Sequence, residues 1–290
     1  MSILECKALS KNYGRVQALQ NIDLSLDSGR IIGLVGPNGS GKTTLIKLAQ
    51  HLLTPTSGTI TVDGMLPGPE TKAIVSYLPD RDFLPPWMNL EGLTKFYMDF
   101  FPDFNPAKSA EMLANLGVPD KMPLGNMSKG TREKVQLIFT MSREAKVYLL
   151  DEPIAGVDPA TREYILRTIL TNYSEEALVL ISTHLITDVE PILDEVVFLQ
   201  NGSLALHENA DALRERTGGI GPFREVFQAI TSPEFVENFR NGLGATVLFL
   251  LMMILGAAAS ITRIYAGIAI GHQFSGHLAP SGQKAQPGMT

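Results

Sequence analysis

Along most of the chain, short apolar runs alternate with longer stretches in which apolar residues recur at helical spacing. The apolar or β-branched runs predict strands at residues 31–35, 60–62, 74–78, 147–151, 177–183 and 196–200. A glycine follows the first run, and residues 43–53 then predict a helix. Because strands and helices alternate, the pattern predicts an α/β fold in which helices cover a partly parallel sheet.

The C-terminal part of the chain has a different pattern. Residues 241–262 contain no ionisable side chain, and a helix of that length spans about 33 Å, against about 30 Å for the hydrocarbon core of a bilayer. One C-terminal apolar helix that crosses a membrane is therefore predicted; because residues 256–260 are only weakly apolar, a buried core helix is the alternative. We expect an α/β domain over residues 1–230, a linker with this helix over 231–272, and a disordered tail rich in Gly, Pro and Ser over 273–290.

Charge and cysteine content narrow the class of protein. The 24 Lys and Arg residues are outnumbered by 30 Asp and Glu residues, which gives a formal net charge of −6. A general nucleic-acid binder would carry a basic stripe, so we expect no nucleic-acid partner. Cys6 is the one cysteine, so no intrachain disulfide can form and a reducing cytosol is the natural compartment. Residues 1–30 carry charges throughout and lack the apolar block of a signal peptide, which predicts a domain that is not exported.

A glycine-rich segment after the first predicted strand matches the pattern GxxxxGK[ST]. It consists of Gly36, Pro37, Asn38, Gly39, Ser40, Gly41, Lys42, Thr43 and Thr44. Its glycines allow backbone N–H groups to converge on phosphate oxygens, and the following helix adds its positive N-terminus. Lys42 is expected on the β and γ phosphates of a nucleotide, and Thr43 on Mg²⁺. A simple glycine turn is the alternative, but the position between a strand and a helix favours the phosphate loop. The loop alone does not separate an ATPase from a GTPase or a kinase.

Two adjacent carboxylates end the predicted strand at residues 147–151. This end of a strand in an open α/β sheet is where ligands bind. We expect Asp151 to join the coordination shell of Mg²⁺, and Glu152 to orient or deprotonate the water that attacks the γ-phosphate. A solvated turn is the alternative for such a pair.

The segments Leu-Leu-Asp-Glu-Pro at 149–153, Ala-Gly-Val-Asp-Pro at 155–159 and Ser-Thr-His at 182–184 resemble the nucleotide-binding subunit of ABC transporters, in matching order over roughly residues 3–230. The resemblance implies the P-loop NTPase fold of an ABC ATPase domain, with an antiparallel β subdomain and a helical subdomain at about residues 81–140. It implies ATP and Mg²⁺ as cofactors and a second ATP-binding subunit, identical or different, as partner. It also implies that Asp158 lies at the dimer interface and that His184 contacts the γ-phosphate. A satisfied histidine at a strand end is the alternative for His184.

The resemblance also assigns residues at the adenine and at the partner's phosphate. Tyr13 stands where this family stacks an aromatic ring on adenine, the alternative being a turn aromatic that covers the sheet. The family's Leu-Ser-Gly-Gly-Gln signature is here Met-Ser-Lys-Gly-Thr at 127–131, which keeps Ser128 and Gly130. This segment should begin a helix whose N-terminus faces the γ-phosphate bound by the opposite subunit. The Lys129 ammonium would add a cation there or point into water. A Ser-Lys-Gly signature is similar to that of bacterial ABC ATPases serving ABC-2-type exporters.

Asp80 departs from the family, which has glutamine after this strand. Aspartate is anionic but one methylene shorter than glutamine. An indirect contact with Mg²⁺ is therefore the alternative to direct coordination. We keep Asp80 as a candidate metal contact in a loop.

Aromatic residues are dense after Asp80, at Phe83, Trp87, Phe96, Tyr97, Phe100, Phe101 and Phe104. In the family this region is the helical subdomain, whose groove receives a short cytoplasmic helix of the membrane subunit. An aromatic stripe at helical spacing is more often core, so an ordinary helical core is the first interpretation of the cluster, and an exposed apolar docking site is the alternative.

Residues 263–274 resemble part of an ABC-2-type permease, and we interpret them as a truncated permease fragment. One spanning helix cannot make a transport path, so separate membrane permease subunits are still expected. The chain is thus predicted to dimerise on ATP, hydrolyse it and drive an exporter. It would act at the cytoplasmic face of the cell membrane, anchored there if its C-terminal helix spans. An ATP-controlled regulatory or clamp-type ABC protein is the alternative.

Overall fold

The structure is a computed structural model that describes residues 2–217. The predicted linker, apolar helix and tail at residues 231–290 lie outside the described residues. Within residues 2–217, no helix has both the length and the apolar character needed to cross a bilayer.

Nine strands and eight helices make up the described part of the chain. The strands are β1 (Ser2–Tyr13), β2 (Val16–Asp27), β3 (Arg30–Val35), β4 (Ser57–Val62), β5 (Val75–Leu78), β6 (Val147–Asp151), β7 (Leu178–Thr183), β8 (Glu195–Gln200) and β9 (Ser203–Asn209). The helices are α1 (Lys42–Ala49), α2 (Pro69–Ile74), α3 (Leu90–Phe100), α4 (Pro106–Ala114), α5 (Lys129–Met141), α6 (Pro159–Asn172), α7 (Ile186–Val189) and α8 (Ala210–Thr217). Short 3₁₀ turns lie at Leu124–Asn126 and Glu190–Ile192.

The strands form two sheets. The smaller sheet is antiparallel and has the strand order β2-β1-β4. The larger has the order β5-β6-β7-β3-β8-β9, and all its neighbours run parallel except the hairpin of β8 and β9. Because parallel strands end at the same edge of a sheet, the segments that follow β3, β5, β6 and β7 meet there.

Both faces of the larger sheet are covered, as expected for parallel strands. In β6, Val147 and Leu149 pack into the core shared with α1 and the smaller sheet. Tyr148 and Leu150 point to the opposite face, into the core shared with α5 and α6. This alternation follows from the two-residue period of a strand, and it holds the carboxyl edge of the sheet between two packed layers.

A third core belongs to the helical part between β5 and β6. Its buried members come from α3, α5 and the loops around them, with Leu113 of α4 packed against it, and include Leu93, Tyr97, Phe104, Val135 and Phe139. Helix α5 contributes Val135 and Phe139 to this core, and Leu137 and Met141 to the core under the sheet. Helix α5 therefore joins the two parts of the molecule.

Several sequence predictions of elements need correction. The helix predicted at residues 43–53 ends at Ala49, because His51 adopts a left-handed conformation (φ 56°) and the N–H groups of Leu52 and Leu53 both bond to the Lys47 carbonyl. The strand predicted at 60–62 belongs to the antiparallel sheet, as β4. Ile74 ends α2 instead of beginning β5.

Candidate nucleotide-binding site

The segment between β3 and α1 folds tightly at two glycines. A Cβ atom on Gly36 would lie 2.3 Å from the Leu199 carbonyl oxygen. At Gly41, which precedes α1, φ is 109° and a Cβ atom would lie 2.6 Å from the Ala18 carbonyl oxygen. Only glycine fits both positions, so the backbone itself forms the wall of the loop. The buried Ser40 hydroxyl has no hydrogen-bond partner among the residues described, as expected for a group that faces a ligand.

Lys42 is the first residue of α1, and its side chain turns back into the loop. The residue is 5% exposed. Its ammonium donates to the carbonyl oxygens of Gly36 at 2.8 Å and Pro37 at 3.3 Å, and lies 3.6 Å from Glu152 Oε1. Burial lowers the pKa of Lys42, while the carboxylates of Glu152 and Asp151 oppose that shift. A cation therefore lies inside the concave loop, held by weak carbonyl partners that phosphate oxygens could replace.

Asp151 is fully buried at the end of β6, and its two carboxylate oxygens differ in their hydrogen bonds. Asp151 Oδ1 accepts from the hydroxyls of Ser182 at 2.6 Å and Thr43 at 3.1 Å. Oδ2 has no hydrogen-bond partner within the described residues. Burial raises the pKa of Asp151, and the two hydroxyl bonds oppose that rise.

The donor set fits Mg²⁺. The unpartnered Asp151 oxygen and the Thr43 hydroxyl are hard oxygen ligands, which Mg²⁺ prefers. No group of three or more His, Cys, Asp and Glu side chains that could hold a metal occurs within residues 2–217. A magnesium ion here would thus complete its shell with nucleotide phosphates and water, its usual arrangement at phosphate sites.

Glu152 has an uncommon backbone and two charged neighbours. Its φ is 52°, a left-handed value that few non-glycine residues adopt and that tends to occur at functional sites. Glu152 Oε2 lies 2.9 Å from His184 Nδ1, and Oε1 faces Lys42. Its side chain is 15% exposed and that of His184 is 40% exposed. A carboxylate, an imidazole and an ammonium therefore meet at the edge where the phosphate loop begins.

Ser128, Gly130 and Asp158 lie at the starts of two helices. Ser128 caps α5, with its hydroxyl accepting from the Thr131 N–H at 3.2 Å. Asp158 caps α6 in the same way, accepting from the Thr161 N–H at 3.0 Å. Among residues 2–217, no hydrogen bond or ion pair joins Ser128, Gly130 or Asp158 to the phosphate loop of the same chain. Ser128 and Asp158 are both exposed. Of these two helices, only α5 has N–H groups to present to a ligand, at Lys129 and Gly130, because α6 begins with Pro159 and the Thr161 N–H is bonded to Asp158.

Asp80 is exposed in the loop after β5 and lines a cavity together with Glu152. The cavity has a volume of about 200 Å³, and Asp80, Lys129, Glu133 and Glu152 are among its lining residues. The Asp80 carboxylate contributes to the raised pKa of Asp151. Asp80 thus acts on Asp151 through its charge, without a hydrogen bond to it in the part of the chain that the structure describes.

Asp82, which the sequence analysis did not single out, ties the same loop to α5. Asp82 Oδ2 accepts from Arg132 Nε at 2.6 Å, and Oδ1 accepts from Gln136 Nε2 at 2.6 Å. Arg132 also donates to the Met127 carbonyl oxygen at 2.9 Å. The pairing spans 50 residues of sequence, so no local signal could have revealed it.

Tyr13 ends β1, at the hairpin that leads into β2. Its ring is 46% exposed, and the Lys11 ammonium lies 5.4 Å from the ring centroid. The ring thus has a free face on which a base could stack.

The aromatic cluster after Asp80 divides into core and surface. Tyr97 and Phe104 are buried in the helical core, whereas Phe83, Trp87, Phe96 and Phe100 are exposed. A groove of about 280 Å³ opens beside α3, lined by the apolar side chains of Phe83, Leu84, Pro85, Met88, Leu93, Phe96, Tyr97 and Phe101. The core interpretation is thus correct for Tyr97 and Phe104, and the docking interpretation stays a prediction for the exposed residues.

Known proteins with similar sequences carry the same type of domain. The family model described as ABC transporter matches residues 19–155. The uncharacterized ABC transporter ATP-binding protein YdbJ of Bacillus subtilis is 31% identical over 254 residues, which cover 83% of this chain and 81% of that protein. The SkfA peptide export ATP-binding protein SkfE of the same organism is 27% identical, covering 70% of this chain and 88% of SkfE.

Solved structures agree with the fold. A structure of the ATP-binding subunit of an ABC transporter superposes with a TM-score of 0.67 at 28% identity, covering 77% of this chain and 99% of that chain. The ATP-binding cassette MJ0796, a dimer bound to ADP and Pi, superposes with a TM-score of 0.62 at 19% identity, covering 71% of this chain and 98% of that chain. The predicted P-loop ATPase fold with an antiparallel sheet and helices is confirmed. The chain belongs to the family of ABC transporter ATP-binding proteins.

Proposed function

We propose that the chain hydrolyses ATP as one half of an ATP-dependent dimer and so drives an exporter from the cytoplasmic face of the membrane. One observation carries the hydrolytic part: Lys42, Asp151 and Glu152 meet at one sheet edge, and Asp151 keeps a buried oxygen without a partner among the described residues. A structural carboxylate would have both oxygens satisfied. A buried carboxylate oxygen without a hydrogen-bond partner is expected where a bound metal ion or ligand supplies the missing contact.

Each side chain has a separate task in this proposal. Lys42 leaves its carbonyl partners to neutralise the β and γ phosphates. Thr43 and Asp151 hold Mg²⁺, which when bound offsets the charge that develops on the phosphates. Glu152 orients and deprotonates the attacking water, and His184 beside it contacts the γ-phosphate.

The dimer explains why, among the described residues, Ser128 and Gly130 make no hydrogen bond or ion pair with the phosphate loop of their own chain. The N-terminus of a helix with free N–H groups favours an anion. In a head-to-tail pair, Ser128 and Gly130 of each subunit would face the γ-phosphate bound by the other. The dimeric state of the cassette MJ0796 supports a dimer as the working form.

The exposed apolar groove beside α3 supports a membrane partner. Monomeric proteins seldom leave a continuous apolar patch open to water without a role. We assign the groove to a short cytoplasmic helix of a separate permease subunit. The peptide-export name of SkfE and the Ser-Lys-Gly segment at 128–130 support the outward direction.

The catalytic assignment is tested with Glu152→Gln in the full chain. The amide keeps the size and hydrogen bonding of the side chain but cannot act as a base, so MgATP binding should persist while phosphate release falls by about 10²–10⁴-fold. Glu144→Gln, an exposed carboxylate near the opposite edge of the sheet, is the matched control and should retain turnover. Turnover of Glu152→Gln within a few-fold of wild type would remove Glu152 from this role.

The groove assignment is tested by co-purification in mild detergent from the native cells. Phe96→Asp places a charge in the groove and should abolish recovery of a membrane protein with several spanning helices. Met98→Asp is the control, because Met98 lies on the same helix, is 54% exposed and does not line the groove. Equal recovery with both variants would contradict docking at this groove. If wild type dimerises with ATP but recovers no membrane protein, the clamp-type function is favoured instead.

A further inference from the structure

Ser182 is a fully buried hydroxyl at the end of β7, directly opposite Asp151 on β6. Its hydroxyl makes two hydrogen bonds at once. Ser182 Oγ donates to Asp151 Oδ1 at 2.6 Å and accepts from the Glu152 N–H at 3.0 Å. One side chain therefore contacts both carboxylate residues of the candidate site.

The first bond controls which Asp151 oxygen remains free. The hydroxyls of Ser182 and Thr43 both reach Oδ1, so Oδ2 keeps its lone pairs. A hydroxyl has a single proton to donate. Because Ser182 donates that proton to Oδ1, it restrains the rotation of the carboxylate, and Oδ2 is the oxygen left without a partner among the described residues.

The second bond acts on the backbone of Glu152. Its N–H is shared between the carbonyl oxygen and the hydroxyl of Ser182, both at 3.0 Å. The same residue has φ of 52°, a conformation that persists where the surrounding structure holds it. That conformation directs the Glu152 carboxylate to His184 and Lys42.

We propose that Ser182 is a positioning residue, whose hydroxyl orients Asp151 for magnesium and holds Glu152 in its left-handed conformation. The inference rests on the proposed ATPase function and adds a residue to that site. Ser182 touches neither nucleotide nor metal, and acts through Asp151 and Glu152. Residues that orient metal ligands in this way typically contribute about 10- to 100-fold to metal affinity or activity.

Ser76 provides a matched control. It is a 1% exposed serine on β5, in the same sheet, and its hydroxyl donates to the Thr140 carbonyl oxygen at 2.8 Å. Ser76→Ala removes a buried hydroxyl and its hydrogen bond, as Ser182→Ala does, but leaves the carboxylates untouched. A role confined to packing would give the two variants the same behaviour.

The experiment compares the full chain as wild type, Ser182→Ala, Ser182→Cys and Ser76→Ala. A fluorescent ATP analogue is titrated with chelator and then at increasing Mg²⁺, and turnover is measured over the same Mg²⁺ series. For Ser182→Ala we expect metal-free affinity within about twofold of wild type, a half-saturating Mg²⁺ concentration raised about 10-fold or more, and a comparable fall in kcat. Ser76→Ala should keep the wild-type Mg²⁺ dependence. Ser182→Cys preserves the volume with only a weak S–H donor, so it should show the Mg²⁺ defect even if the alanine variant does not fold.

A half-saturating Mg²⁺ concentration for Ser182→Ala and Ser182→Cys equal to that of Ser76→Ala would overturn the inference. The binding titration separates this failure from that of the proposed function. If wild type binds nucleotide in a Mg²⁺-dependent manner but does not turn over, the proposed hydrolysis fails, while the shift in Mg²⁺ dependence still decides the role of Ser182.

Discussion

At the scale of single residues, the buried ammonium of Lys42 has neutral hydrogen-bond partners. The Lys42 ammonium is nearly excluded from water, yet its hydrogen bonds within residues 2–217 go to the loop carbonyls of Gly36 and Pro37, and Glu152 Oε1 lies 3.6 Å away. Neutral carbonyls compensate a buried cation less well than ionised partners do. The phosphate groups of a nucleotide would be stronger, ionised partners for this buried cation. Their interaction with Lys42 should therefore contribute to the affinity for nucleotide.

Removal of this cation should therefore weaken nucleotide binding itself. Lys42→Ala is expected to lower the affinity for MgATP by about 10-fold or more, since charge-assisted hydrogen bonds contribute about 1.5–3 kcal/mol. Equilibrium binding of labelled ATP measures this directly. Lys47→Ala, further along α1, serves as control. Wild-type affinity in the Lys42 variant would contradict the phosphate-loop assignment.

Residues within a continuous motif were predictable, and residues paired across strands were not. Lys42, Asp151 and Glu152 follow from short local patterns. The bonds of Asp151 to Thr43 and Ser182 join positions 108 and 31 residues apart. They depend on the order in which strands lie side by side, which local spacing does not determine.

At the scale of elements, the buried strands of the larger sheet were the most predictable. Strand β6 has the predicted bounds, because a strand covered on both faces is apolar throughout. Strands β1, β2 and β9 had no predicted counterpart. In β2, Ile22, Leu24 and Leu26 are buried in alternation with exposed residues, a two-residue period that does mark a half-buried strand. Strand β9 is only partly buried and gave no such signal.

Helix α5 and the loop after β5 should act together because Asp82 joins them. Asp82→Asn replaces one acceptor oxygen with a donor that faces Arg132 or Gln136, so the start of α5 should lose its fixed position. The pair is partly exposed, so the cost in stability should be only about 0.2–1 kcal/mol. Turnover should fall about 10-fold through misplacement of the signature segment, while ATP affinity of the monomer stays within twofold.

Phosphate release and labelled-ATP binding measure these two quantities. Glu91→Gln is the control, since it breaks an exposed ion pair with Lys95 on α3 in the same helical part. Equal turnover in the two variants would show that the Asp82 contact does not align α5.

At the scale of the whole molecule, the layered packing separates the two halves of the site. The phosphate loop and the carboxylates lie on the sheet edge, held between two cores. The start of α5 is held by the helical core, with its N-terminus exposed. Each half is supported by its own packed core, and we propose that two chains complete each other's site.

Size-exclusion chromatography with light scattering, in MgATP, tests this claim most directly on the full chain. Glu152→Gln should form a dimer with trapped ATP. Adding Ser128→Arg should leave a monomer that still binds ATP, because the bulky cationic side chain blocks approach to the partner's nucleotide. Adding Ser174→Arg instead, at an exposed serine after α6, should leave the dimer intact. An ATP-dependent dimer of the Glu152→Gln, Ser128→Arg chain would contradict the composite site.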